Sequence, residues 1–110
     1  MIFKSFRLSA RFGKAHGLLL REQYDQSYNL LISILEAGPE DSMLPLVHED
    51  LGIIEYHRGN FAASITHMDY CIRHSVECPS QWNSADDVDR LERISWYKKV
   101  CEGKHNENKT

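Results

Sequence analysis

The sequence lacks long apolar runs, is poor in cysteine and has no strand-like segment. Its uninterrupted apolar runs are short, such as Leu18–Leu20, whereas a membrane-spanning helix needs about 20 apolar residues. The three cysteines, Cys71, Cys78 and Cys101, are an odd number, which favours a reduced, cytoplasmic protein over a disulfide scaffold. No alternating run rich in valine, isoleucine and threonine occurs, so we predict no β-sheet.

Sequence motifs of catalysis are also missing. There is no glycine-rich phosphate loop, no nucleophile elbow and no His-Glu-x-x-His zinc motif, so we expect no enzyme activity, no catalytic residue and no cofactor. The net charge of −3 argues against nucleic acid as a partner. The basic residues Lys4, Arg7, Arg11 and Lys14 are interpreted as one face of a first helix, in preference to a transit peptide or a phosphate-binding stripe.

The chain has 110 residues, of which 42% are hydrophobic and 26% are charged, as in ordinary globular proteins. This length and composition predict one domain over residues 1–103, followed by a flexible polar tail over 104–110. Apolar residues recur at three- and four-residue spacing, which predicts five helices. The expected helices cover residues 3–21, 24–37, 45–58, 61–77 and 85–102.

Glycine and small polar residues mark the helix ends. Gly59 suits the left-handed position that ends a helix, and Asn60 is a candidate cap for the next one. Gly103 is expected to end the last helix. Gly13 and Gly17 lie inside the first helix on one stripe with Phe6 and Ala10. Because such glycines are costly in a helix, we expect a neighbouring helix to pack closely there.

The first pair of helices resembles the second when the chain is shifted by 37 residues. Ala15 then falls on Gly52, and Ser27 falls on Ser64. Larger apolar residues also coincide along the second helix of each pair. A repeated pair of helices indicates stacked hairpins, because one hairpin cannot bury its apolar faces alone.

At these positions the sequence resembles the tetratricopeptide repeat family. Leu51-Gly52 matches the family's Leu-Gly pair, Gly59-Asn60 its usual turn, and Phe61 the aromatic residue after the turn. Tyr56 matches a frequently aromatic position, whereas His48 replaces the frequent tryptophan. The resemblance implies an all-α fold of antiparallel helical hairpins, stacked as a short α-solenoid. Repeat one would cover about 8–38, repeat two about 45–78, and a capping helix about 84–102; a plain helical bundle and another helical-hairpin array remain alternatives.

In this family the first helices of successive repeats line a concave groove that binds a peptide or helix of another protein. Carried onto this chain, the groove residues are Phe12, His16, Leu19, Glu49, Ile53 and Tyr56. The alternative is that several of these side chains contact the last helix. The family's carboxylate-binding positions hold Phe12, His16 and Asp50 here, so binding of a C-terminal carboxylate is not expected.

The resemblance therefore implies a non-catalytic protein-interaction module, with no membrane and no nucleic acid as partner. The alternative is a dedicated inhibitor, immunity protein or chaperone for a single partner protein. Because so short a stack leaves its ends uncovered, a homodimer through stacked ends is also compatible with it.

A stripe of histidine and cysteine raises a third hypothesis, a metal site. His67, Cys71, His74 and Cys78 are spaced by four, three and four residues along one helix. One straight helix cannot surround an ion with four ligands. We therefore interpret Cys71 as a packing residue and expect no bound metal.

Overall fold

The computed structural model describes residues 2–109, which fold into five α-helices and one 3₁₀ turn. The helices are α1 (Ile2–Leu20), α2 (Tyr24–Glu36), α3 (Leu44–His57), α4 (Phe61–Glu77) and α5 (Ala85–Lys109), and the 3₁₀ turn is Pro79–Gln81. No strand occurs among the described residues, which confirms the all-α prediction. Nor does any helix among them combine the length and apolarity needed to cross a bilayer.

The helices form two layers, one of α1, α3 and α5 and one of α2 and α4. In the part of the chain that the structure describes, neighbouring helices are in contact within the first layer but not within the second. Each helix packs against the next one along the chain. In addition, α1 contacts α3 and α3 contacts α5, whereas α2 and α4 do not meet within the described residues. A stack in which α3 contacts both α1 and α5 while α2 and α4 are spread apart curves toward the side of α1, α3 and α5. The concave side is therefore lined by α1, α3 and α5.

Both helical hairpins are held by the same buried hydrogen bond. The hydroxyl of Ser27 donates to the carbonyl oxygen of Ala15 at 2.7 Å, and that of Ser64 donates to the carbonyl oxygen of Gly52 at 2.7 Å. Both serines are fully buried. A serine reaches a neighbouring helix backbone only where the residue there is small, which explains the pairing of serine with alanine or glycine in each hairpin.

The turns inside the two hairpins also share one backbone geometry. The amide of Gln23 donates to the carbonyl of Leu18, and the amide of Asn60 donates to the carbonyl of Glu55, at 2.9 and 2.8 Å. One residue earlier, Gly59 has φ +79° and Glu22 has φ +62°. Glycine adopts this left-handed conformation freely, whereas a residue with a Cβ is strained in it. The first hairpin therefore carries backbone strain that the second avoids.

The core consists of two clusters of buried apolar side chains. The first joins α1, α2 and α3 and contains Leu8, Ala15, Leu19, Leu31, Ile34, Val47, Leu51 and Ile54. The second joins α4, α5 and the 3₁₀ turn and contains Met68, Cys71, Trp82 and Ile94. Ile53 packs against both clusters. Gly52 lies at the closest approach of α3 and α4, since a Cβ there would lie 2.7 Å from Met68 Cε.

Several predicted details of the helices are wrong. The last helix does not end at Gly103 but continues to Lys109, so most of the predicted tail is helical; Thr110 lies outside the described residues. Glycine lowers helix stability by only about 1 kcal/mol, and strong helix formers flank Gly103. Asn60 occupies the cap position of α4 but makes no side-chain capping bond.

The glycine stripe of α1 faces away from the core. A Cβ added at Gly13 would meet no atom within 4 Å, and the side chain of Phe6 is 74% exposed. The opposite face of the helix, with Leu8 and Ala15, supplies the core contacts. The expected packing of a neighbouring helix on this stripe therefore does not occur among the described residues.

The strained turn predicts opposite effects of two glycine substitutions. Glu22→Gly should raise the free energy of unfolding by about 0.5–1 kcal/mol, because glycine removes the strain of the left-handed conformation. Gly59→Ala should lower it by about 1–2 kcal/mol, and this loss reflects no steric clash, because nothing lies within 4 Å of the added methyl group. Urea unfolding of both variants tests this. A loss of stability in Glu22→Gly would contradict the assigned conformation.

Candidate functional site

The concave side of the stack contains an open groove of about 500 Å³. Four helices and the first turn contribute to its walls. The groove is lined by His16, Leu19 and Leu20 of α1, Glu22 of the first turn, Tyr24 of α2, Glu49, Asp50, Ile53 and His57 of α3, and Arg93 and Tyr97 of α5. This mixture of aliphatic, aromatic and charged side chains is typical of a site that binds an organic or peptide ligand.

Four of the six residues expected in the groove line it, namely His16, Leu19, Glu49 and Ile53. The other two are placed differently. The half-buried ring of Phe12 stacks on the ring of His16, with centroids 5.8 Å apart, and does not line the groove.

Tyr56 packs against the last helix. Its ring meets Tyr97 edge-on at 5.3 Å between centroids and lies 6.5 Å from that of Trp96. Tyr56 therefore contacts the last helix, which was the alternative to a place in the groove.

Glu49 anchors α5 at the edge of the groove. Its carboxylate is buried and accepts a hydrogen bond from Arg90 Nε at 3.0 Å on one oxygen. The other oxygen accepts bonds from Arg93 Nε at 3.0 Å and Nη2 at 2.7 Å. A buried carboxylate is tolerated when cations of this kind neutralise it. Glu49 therefore joins α3 to α5 and has little capacity left for a ligand.

Asp50, the next residue along α3, has a different environment. It is 3% exposed, and its Oδ2 lies 2.8 Å from Nδ1 of His16. Burial raises the pKa of Asp50 to about 6, an effect that His16 and Arg90 partly oppose and Glu49 reinforces. The groove thus contains one neutralised carboxylate and one whose charged form is poorly stabilised.

The histidine–cysteine stripe of α4 does not form one site. Cys71 lies in the core, where its thiol donates to the carbonyl of Pro45 at 3.3 Å, which confirms its interpretation as a packing residue. Burial raises the pKa of Cys71 to about 12, so it stays a thiol and is a poor metal ligand. His67 contacts His48 of α3 instead of its neighbours along the stripe.

The remaining two residues of the stripe meet Asp41 from the loop before α3. The ligand atoms of Asp41, His74 and Cys78 lie within 4.8 Å of one another, close enough to share an ion. However, Nδ1 of His74 accepts a bond from Trp82 Nε1 at 2.9 Å, and Nε2 lies 3.0 Å from Asp41 Oδ2. The ring therefore carries its proton on Nε2, where a metal would bind. A metal ion on Nε2 would move the ring proton to Nδ1, which could then no longer accept the hydrogen bond from Trp82. The cluster is therefore better described as a chain of hydrogen bonds than as a metal centre.

His48 and His67 form a histidine pair between α3 and α4. Their Nδ1 atoms lie 2.9 Å apart, so one imidazole donates and the other accepts. The ring of Tyr70 stacks on His48 at 4.0 Å between centroids. Burial lowers the pKa of His48 to about 4, with a further contribution from His67, and burial also lowers the pKa of His67. Both rings are therefore neutral near pH 7.

Sequence reasoning missed several groove residues. They are Leu20 of α1, Glu22 of the first turn, Tyr24 of α2, Asp50 and His57 of α3, and Arg93 and Tyr97 of α5. The spacing of Arg90 and Arg93 on one face of α5 is the only sequence signal for the Glu49 contact. Nothing in the sequence indicates which acid they bind.

Comparison with known proteins leaves the fold and the site as the only guides to function. No protein-family model, no curated protein and no solved structure matches this chain.

The histidine pair predicts a loss of stability in mild acid. Because both pKa values are lowered in the folded state, the stability that the pair contributes is present above pH 6.5 and is lost as the pH falls toward 4. A His48→Gln/His67→Gln variant cannot titrate there, and its loss over this range should be roughly 1–2 kcal/mol smaller than that of the wild type. Asp50 acts in the opposite direction but equally in both proteins. Urea unfolding as a function of pH measures the difference, and identical profiles would contradict the assignment.

Proposed function

We propose that this chain is a non-catalytic protein-interaction module whose groove receives a peptide or helix of a partner protein. The observation that carries the proposal is the groove of about 500 Å³ between α1, α3 and α5. Leu19, Leu20 and Ile53 give it apolar wall surface, and charged groups lie beside them. Apolar anchors next to a few polar groups are what peptide-binding grooves provide.

The repeated hairpins support assigning the chain to the tetratricopeptide-repeat type of architecture. The serine-to-carbonyl bonds recur with the 37-residue offset that the sequence alignment uses. The left-handed residues Glu22 and Gly59 follow the same offset. Such repeats commonly present a concave surface to other polypeptides. The three free cysteines are in keeping with a cytoplasmic protein.

The alternative role, a dedicated inhibitor, immunity protein or chaperone, would use the same groove. The two roles differ in the number and the affinity of partners. An adaptor binds several partners with micromolar dissociation constants, whereas an inhibitor binds one partner with a nanomolar constant. No contact in the groove favours the second role over the first.

The groove is tested by selecting short peptides from a random displayed library on the full-length protein. Leu20 lines the groove and is 72% exposed, so Leu20→Asn should leave the fold intact. We expect this variant to bind the selected peptides at least about fivefold more weakly, the loss of one apolar anchor. Val76 is 75% exposed on α4, outside the groove, and Val76→Asn is the matched control. Failure to select any peptide, or equal losses in both variants, would overturn the proposal.

A homodimer through stacked ends is the second partner that we propose, with α5 as the contact. The outer face of α5 carries a shallow apolar groove of about 490 Å³, in which Trp96 is 54% exposed. If two α5 helices cross antiparallel about a twofold axis next to Ser95, Glu92 of each copy faces Lys99 of the other. The other end of the stack is disfavoured, because Lys4 and Arg7 would meet their like across a twofold axis.

A charge exchange tests this dimer. Glu92→Lys places four positive charges around the axis, so it should weaken self-association by about tenfold, and adding Lys99→Glu should restore it. Sedimentation equilibrium of the three proteins gives the dissociation constants. A monomer at all concentrations, a double variant as weak as the single one, or a mass that keeps rising beyond a dimer would each contradict the arrangement.

A further inference from the structure

The two adjacent carboxylates on the α3 wall of the groove are not treated alike. Both oxygens of Glu49 are bound by guanidinium groups from α5. Asp50 has only His16 as a side-chain partner among the described residues, at 2.8 Å. Guanidinium groups therefore donate hydrogen bonds to one acid of this wall and not to the next, although the charge of Arg90 also acts on Asp50.

Glu22 is the second acid of the groove that no lysine or arginine contacts in the described part of the chain. It occupies a left-handed position with φ +62°, where the equivalent residue of the second hairpin is Gly59. A side chain there costs about 1 kcal/mol or more, and such strain is concentrated at functional sites. The chain thus has a carboxylate at the rim of the groove, at a turn position where a glycine would make the folded protein more stable.

Apolar and aromatic side chains also lie on the groove walls, beside the charged groups. Leu19 and Ile53 lie on the same walls, and Tyr97 closes the side toward α5. Lysine and arginine side chains have long aliphatic stems that cover apolar surface while the charged end reaches a polar partner. Apolar wall surface beside two carboxylates that form no ion pair with a lysine or arginine of the described chain has the complementary arrangement.

We propose that the groove recognises a lysine or arginine side chain of the partner polypeptide, whose charged end lies between Glu22 and Asp50 and whose stem lies along Leu19, Ile53 and Tyr97. This inference rests on the proposed function, because it names the chemistry of the peptide that the same groove binds. The inference distinguishes this groove from a groove that would bind an acidic segment or a free carboxylate.

Binding of a cation should be coupled to the ionisation of Asp50. The groups that face Asp50 are His16 on α1, Glu49 on its own helix and Arg90 on α5. Burial raises the pKa of Asp50 to about 6, and a bound cation would lower it. The cation therefore binds more tightly above this pKa, and its affinity falls as the pH drops through 6.

The test uses the peptides selected on the full-length protein. We expect their consensus to contain a lysine or arginine next to apolar residues. Changing that residue to glutamine in a synthetic peptide should weaken binding about tenfold. On the Asp50→Asn protein, whose amide retains a polar contact to His16, the same peptide change should have a much smaller effect, and the fall in affinity below pH 6 should diminish. Isothermal titration gives all four affinities of this double-mutant cycle.

Glu22 offers a control that separates binding from stability. Glu22→Gly should weaken the lysine-containing peptide while making the fold more stable, a combination that a purely structural role does not produce. Glu22→Gln keeps the strained backbone and should weaken binding to a similar extent.

The two possible failures can be told apart. Selected peptides that depend on Leu20 but are neutral or acidic would overturn this inference and leave the proposed function standing. Peptides that are indifferent to Leu20 would overturn both.

Discussion

The fold depends on two buried serine hydroxyls, each bonded to the backbone of the preceding helix. Ser27 reaches the carbonyl of Ala15 and Ser64 reaches that of Gly52 at the same distance, 2.7 Å. A buried hydroxyl is costly without a partner, so each bond requires the two helices of its hairpin to lie close together. The residue opposite must then be small. Both hairpins obey this constraint. The separate contact between α1 and α3 places the first helices of the two hairpins side by side, and they form one wall of the groove.

The chemistry of that wall is set by the way α5 is attached. Arg90 and Arg93 reach across to Glu49 and bring α5 against α3 without filling the space between α5 and α1. The arginines neutralise one carboxylate and leave the neighbouring Asp50 with His16 alone. The same contact therefore completes the groove and gives it an uneven charge. The strained backbone at Glu22 adds a second acid where the corresponding turn of the other hairpin has glycine.

Local patterns in the sequence were sufficient to predict the five helices and their pairing into hairpins, although not the end of α5. The bounds of α4 were predicted as Phe61–Glu77 and are observed there, because an apolar face, a glycine turn and a proline mark them. At the start of α5, the amide of Asp87 donates to Ser84 Oγ and the amide of Ser84 donates to Asp87 Oδ2, which is a local capping box. Contacts between distant helices were not predictable, because periodicity gives the face of a helix but not its partner. The outward stripe at Gly13, the attachment of Glu49 to α5 and the pairing of His48 with His67 are of this kind.

We propose that the side lined by α1, α3 and α5 binds another polypeptide. The most direct measurement is an experimental structure of the protein with one of its selected peptides, by crystallography or NMR. The account predicts a peptide lying across the groove, in contact with Leu20, Asp50 and Tyr97, with a basic side chain directed at Asp50. A peptide bound to the outer layer of α2 and α4, or a structure in which α5 fills the space between α1 and α3, would contradict it.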